Sequence, residues 1–65
     1  MIAPTIIKHE KTAVGFTVMV SYTDVMGFNV AVQEYRIWNN GEISLMKESI
    51  WSSEQSALIA FKKAA

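Results

Sequence analysis

The only run of adjacent titratable side chains is Lys8, His9, Glu10 and Lys11. A histidine and a glutamate could act as a general acid and base if both side chains reached the same reacting atom. Consecutive side chains on a β-strand point to opposite faces, so His9 and Glu10 converge only if this segment is a loop. A small enzyme that uses His9 and Glu10 therefore ranks third among the functional hypotheses.

The other residue types with catalytic uses lack the patterns that their chemistry requires. His9 is the only histidine, and no serine lies in a nucleophile elbow. Three isolated glycines cannot form a loop that cradles phosphate. With no cysteine and one histidine, neither a disulfide framework nor a zinc site can be assembled. We predict that the chain is not an enzyme and binds no metal or other cofactor.

The length and composition indicate a single small domain, residues 1–65, with a surplus of apolar side chains. A chain of 65 residues is near the size at which one core gives only marginal stability. Hydrophobic residues make up 51% of it, while the charged share is 18%, below the typical ~25%. The surplus must be covered by internal packing or by association with another chain.

The charge balance and the lack of long apolar runs constrain the binding partners and the cellular location that we expect for this chain. Six basic and six acidic residues cancel, so the chain lacks the positive footprint of proteins that bind phosphate backbones or anionic membranes. No basic segment precedes an apolar stretch at the N-terminus, and no run approaches the ~18 apolar residues of a membrane span. We expect a cytoplasmic protein without a membrane partner or small-molecule substrate, and nucleic acid is disfavoured.

Three strands can be recognised in the first half of the chain. "TIIKHEK" is an edge strand or an ordered arm, whereas "FTVMVSY" and "FNVAVQ" alternate between apolar and other residues, as half-buried strands do. A five-residue loop, 23–27, would pair Val20 with Val30 and join the two apolar faces. A loop shorter by one residue would pair Val20 with Ala31 instead. We favour the five-residue loop.

The pattern changes phase after Gln33, because Tyr35 and Ile37 are apolar where the earlier rhythm expects polar residues. A bulge near Gln33 and Glu34 would turn Tyr35 and Ile37 into the core; otherwise the second half of the strand is apolar on its other face. The sequence leaves both possibilities open.

The turn signal "NNG" allows two loop lengths. A three-residue loop, Asn39–Gly41 with Gly41 in the left-handed region, would pair Ile37 with Ile43, Tyr35 with Leu45 and Val30 with Ile50. A two-residue turn would instead set Trp38 against Ile43. We favour the three-residue loop because it matches apolar residues with one another.

A C-terminal helix from about Ser53 to Ala64 completes the chain. Ser52 with Gln55 has the form of a capping box, Ser53 is an equally good cap, and Lys62 and Lys63 suit the negative end of the helix dipole. The predicted fold class is α+β: an antiparallel meander of three to four strands followed by one helix packed on one sheet face.

The order of three strands and the helix start "WSSEQSALIAF" resembles the small arm-type DNA-binding domain at the N-terminus of tyrosine recombinases, over about residues 16–64. The resemblance implies DNA binding by the sheet. That family's sheet is rich in Lys and Arg, whereas these strands carry Arg36 and Lys47 against four acidic residues: Asp24, Glu34, Glu42 and Glu48.

The helix is expected to cover the face made by Phe16, Val18, Val20, Phe28, Val30 and Val32. One short helix covers one face, so a contiguous apolar set would stay exposed on the other. With Trp38 added as an interface-type residue, the candidate interface is Met19, Tyr35, Ile37, Trp38, Ile43 and Leu45. The alternative is that this surplus is core, through a bulge at Gln33 or a strand folded across from Ile6 and Ile7.

The leading hypothesis is a small non-enzymatic protein that works by protein–protein contact, as a homodimer or as an accessory or inhibitor of a larger partner. Its compact, cysteine-free style is typical of phage or bacterial accessory proteins. The alternative is a nucleic-acid-binding sheet module, in which Tyr35 and Trp38 stack on bases beside Arg36.

Overall fold

The computed structural model describes residues 2–64, which form one four-stranded antiparallel sheet and one helix. The elements are β1 (Ile2–Lys11), β2 (Gly15–Asp24), β3 (Gly27–Ile37), β4 (Ile43–Trp51) and α1 (Glu54–Ala64). The strands lie side by side in chain order, so the predicted α+β meander is confirmed with all four strands present. The segment predicted as a strand or an arm is an edge strand.

The turn between β2 and β3 contains only Val25 and Met26, with Asp24 opposite Gly27. The Asp24 carboxylate accepts a 2.8 Å hydrogen bond from the backbone N–H of Met26, and Gly27 has a φ of +117°, which favours glycine. This turn pairs Val20 with Ala31. The prediction of a five-residue loop with Val20 opposite Val30 is therefore wrong.

A change of one residue in register moves a strand's side chains to the other face of the sheet relative to its neighbour. The helix therefore packs on Met19, Val30 and Val32 through Ala57 and Phe61, and all five side chains are buried. Val30 and Val32 lie under the helix as predicted. The prediction that Phe16, Val18 and Val20 share this face is wrong, because they point to the opposite side.

The hairpin between β3 and β4 has the predicted three-residue loop. Trp38 accepts a hydrogen bond from the N–H of Gly41 and donates one to the carbonyl of Glu42, and Gly41 has a φ of +90°. Ile37 lies opposite Ile43, and Tyr35 lies opposite Leu45, as predicted.

Beyond these pairs the register shifts by one residue. Glu34 pairs with Lys47 and Tyr35 with Leu45, so Met46 is an extra residue in β4. The bulge is therefore in β4, while β3 stays in continuous register with β2. The predicted pairing of Val30 with Ile50 is wrong because the extra residue brings Trp51 opposite Val30. The other outer strand, β1, also has register shifts, between Ile2 and Thr5 and between Ile6 and Lys8.

The start of α1 is capped by Ser53, which decides between the two predicted caps. Its hydroxyl accepts a 3.3 Å hydrogen bond from the N–H of Ser56, and its carbonyl accepts one from Ala57. Glu54 in the first turn and Lys62 in the last turn complement the helix dipole. Within residues 2–64, no helix has the length and apolar character needed to cross a membrane.

Candidate functional site

The side of the sheet turned away from α1 is referred to below as the open face. Strand alternation and the observed pairings assign its members. They are Ile6, His9 and Lys11 on β1; Phe16, Val18, Val20, Tyr22 and Asp24 on β2; Asn29, Ala31, Gln33, Tyr35 and Ile37 on β3; and Ile43, Leu45, Glu48 and Ile50 on β4.

Large apolar side chains on the open face remain in contact with solvent. Five of them are about half exposed or more: Ile6, Ile37, Ile43, Leu45 and Ile50. A shallow depression of about 570 Å³ is lined mainly by apolar residues, among them Ile6, Val20, Ala31 and Ile50, and also by Gln33 and Glu48. The open face is thus an apolar surface with a central concavity.

Four of the predicted interface residues, Tyr35, Ile37, Ile43 and Leu45, come together on the open face. The cross-strand pairs Tyr35–Leu45 and Ile37–Ile43 are neighbours at one end of the sheet. Tyr35 also stacks on Phe16, with ring centroids 4.9 Å apart and an interplanar angle of 20°. The stacked rings join β2 and β3 at the end of the open face where Tyr35 and Leu45 lie.

Met19 was expected to be exposed with these residues, and that expectation is wrong. It is only 4% exposed because the observed register turns it toward α1, where it packs in the core with Val32 and Phe61. Met19 therefore supports the helix and lies on the opposite side of the sheet from Tyr35.

Trp38 is exposed as predicted but does not extend the open face. Its indole N–H donates a 3.0 Å hydrogen bond to the Ser44 hydroxyl, and the Arg36 guanidinium lies 4.4 Å from its ring centroid. By alternation, Arg36 and Ser44 are on the helix side of the sheet. Tyr35 and Trp38 therefore do not form one continuous platform on which bases could stack.

A short chain of hydrogen bonds crosses the open face between β3 and β4. The Tyr35 hydroxyl donates to Gln33 Oε1 at 2.9 Å, and Gln33 Nε2 donates to Glu48 Oε2 at 2.6 Å. Both ends of the Gln33 amide are therefore engaged within the protein. These hydrogen bonds fix the position of the Glu48 carboxylate on the open face.

Apart from Asp24 at the β2–β3 turn, the acidic and basic residues of the open face are divided between its two edges. His9 and Lys11 are on β1, and Glu48 is on β4, at the other edge of the sheet. Through the pairings, His9 and Glu48 lie in one row across the sheet, with Val18 and Gln33 between them. Glu10 lies on the helix side opposite Thr17, so the structure does not bring His9 and Glu10 together.

Sequence reasoning did not assign several apolar residues to this surface, including Ile6, Phe16, Val20 and Ile50. Phe16 and Val20 were missed because the wrong loop length placed them under the helix. The signal that could have found them is the Asp24–Gly27 turn, in which an aspartate and a glycine flank two residues and specify a tight hairpin.

Within residues 2–64 no three acidic or histidine side chains are grouped closely enough to hold a metal ion. No protein-family model, curated protein or solved structure significantly matches the chain.

Proposed function

We propose that this chain is a small non-enzymatic protein that acts by binding another protein through the open face, and that the partner is a second copy of itself. The observation that carries the proposal is the apolar open face, which α1 leaves uncovered. Large exposed apolar patches on soluble proteins usually mark contacts with other molecules.

The total surface area supports this proposal. The accessible surface is 4822 Å² for a mass of 7.3 kDa, whereas a compact monomer of that mass exposes roughly 4,200 Å². The excess, roughly 600 Å², is comparable to the roughly 800 Å² that each partner buries in a standard protein–protein interface. Covering the open face would therefore remove about the area by which the protomer exceeds a compact monomer.

The shape of the protomer also fits a face-to-face dimer. The chain extends over 38 × 24 × 16 Å, so its broad side has an area of about 900 Å². Two sheets that pack face to face lie about 10 Å apart, with their inner side chains interdigitating. A second copy presents a face of the same size and apolar character, and a net charge of zero removes long-range repulsion between the copies.

Sedimentation equilibrium of the unmodified chain, from micromolar to millimolar concentration, tests the proposal. We expect a reversible monomer–dimer equilibrium that shifts to monomer when Ile37→Asp or Ile43→Asp places a carboxylate on the open face. The control is Val25→Asp, because Val25 is fully exposed at the β2–β3 turn and lies outside the open face. Circular dichroism should show that each variant keeps the fold.

A strict monomer across this range would reject self-association. A dimer that persists in both open-face variants would place the contact elsewhere, for example along the outer edge of β4, and would equally contradict the proposal. If Val25→Asp dissociated the dimer and the open-face variants did not, the contact would involve the tip of the β2–β3 hairpin, and the proposal would again be contradicted.

A further inference from the structure

We infer that the two-fold axis of the dimer runs parallel to the strands, between β2 and β3, so that β1 of each protomer lies over β4 of the partner. This inference rests on the proposed function and adds the relative orientation of the two copies. It follows from the distribution of charge on the open face and from the residues that share each row of the sheet.

Symmetry limits the possible orientations. An isologous contact between two identical faces requires a two-fold axis in the plane between them. The strands of the two copies then cross at twice the angle between the axis and the strands. In aligned packing, the strands of the two sheets lie within about 30° of one another. The two-fold axis must therefore be either nearly parallel or nearly perpendicular to the strands.

The positions of the acidic and basic residues distinguish between these two orientations of the axis. An axis parallel to the strands exchanges left and right edges, so the acidic β4 edge with Glu48 faces the basic β1 edge with His9 and Lys11. An axis perpendicular to the strands superimposes each edge on itself, which brings the two Glu48 carboxylates together when it passes through their row. Like charges brought together in an interface are unfavourable, whereas opposite edges attract.

The central row shows the pairing most directly. His9, Val18, Gln33 and Glu48 lie side by side across the four strands. A parallel axis places Glu48 over His9 of the partner, and it does so twice because of the symmetry. Gln33 comes to lie over Val18 of the partner, which its side chain tolerates because Tyr35 and Glu48 already engage its amide.

The neighbouring rows are compatible with the same axis. In the row Ile6, Val20, Ala31 and Ile50, the exposed Ile6 is placed over Ile50 of the partner, and Val20 is placed over the depression at Ala31. In the next row, Phe16 is placed over Tyr35 of the partner, so the aromatic pair of each copy meets that of the other. At the edges of this row, Lys11 is placed over Leu45 of the partner, where the methylene groups of the lysine can cover the leucine. Apolar groups thus meet in the Ile6 row and at the centre of the Phe16 row, on either side of the Glu48–His9 contact.

Crosslinking of single-cysteine variants tests the orientation, because the natural chain has no cysteine to compete. An affinity-tagged Ile6→Cys variant is mixed with an untagged Ile50→Cys variant, allowed to exchange subunits and treated with a short bismaleimide. Each variant alone serves as the control for like-with-like crosslinks. Sedimentation of the same samples before crosslinking reports whether dimers are present.

We expect the mixed product to dominate by at least tenfold over either like-with-like product. In a parallel-axis dimer two Ile6 side chains lie over opposite edges, separated sideways by three strand spacings, about 14 Å. Like-with-like products, or no product while sedimentation shows dimers, would overturn the orientation and leave the proposed function standing. If sedimentation shows that the unmodified chain is a monomer, both the inferred orientation and the proposed function are overturned.

Discussion

Ile50 and Ile59 form a matched pair for testing whether the open face is the site of association. Both are isoleucines with similar exposure, 56% for Ile50 and 60% for Ile59. Ile50 lines the depression on the open face, whereas Ile59 lies on α1 beside Trp51. Replacement of each by aspartate makes the same chemical change on the two sides of the protein.

The expected effect of Ile50→Asp follows from burial and charge. Complete burial of an isoleucine side chain is worth about 1.5–3 kcal/mol, so covering the exposed half of Ile50 contributes about 1 kcal/mol per copy. The aspartate adds a desolvation cost of at least about 1 kcal/mol per copy. Two copies in the dimer give about 4 kcal/mol, which corresponds to an increase of about a thousandfold in the dissociation constant.

Sedimentation equilibrium measures this constant, and denaturant unfolding of each variant at a monomeric concentration reports its stability. Ile59→Asp should leave the dissociation constant within about threefold of the unmodified value, since Ile59 points away from the contact. If Ile59→Asp weakened association and Ile50→Asp did not, the contact would involve α1 and the β4 edge, and the assignment of the open face would be refuted.

The remaining predictions concern the stability of the fold. Ser53→Ala removes the helix cap and should lower the free energy of unfolding by about 1 kcal/mol in urea denaturation, whereas Ser52→Ala should leave it unchanged; equal losses would contradict the assignment of Ser53 as the cap. Thr17 is 1% exposed, and its hydroxyl finds no hydrogen-bond partner among residues 2–64. Thr17→Val should therefore raise the free energy of unfolding by about 1 kcal/mol, and a loss of stability would indicate that the hydroxyl is satisfied.

Local signals in the sequence correctly predicted the strands, the helix and the loop length of the β3–β4 hairpin, but not that of the β2–β3 hairpin. The strict alternation from Phe16 to Tyr22 identified β2, and the serines before Glu54 located the start of the helix. The Asn39–Gly41 loop was correct because glycine at its third position and the matching of apolar residues across the strands favoured the same register.

The β2–β3 register failed because two local criteria disagreed. Matching apolar faces favoured Val20 opposite Val30, but the tight Asp24–Gly27 turn sets Val20 opposite Ala31. Both faces of this hairpin carry enough apolar side chains to form a core, so alternation alone does not show which one the helix covers. The position of Met19 depended on that choice, whereas Tyr35 and Leu45 depended only on the second hairpin and were placed correctly relative to each other.

The irregular outer strands bear on how far association can proceed. Met46 interrupts the pairing of β4, and β1 has two register shifts, so neither strand presents a long uniform ladder of backbone groups to another sheet. Edge pairing could repeat at both sides of the sheet and would produce an open-ended chain of molecules. Face-to-face contact occupies the open face of each copy and is complete at two. The bulges would therefore protect the protein from polymerisation through its edges while leaving the proposed face-to-face dimer free to form.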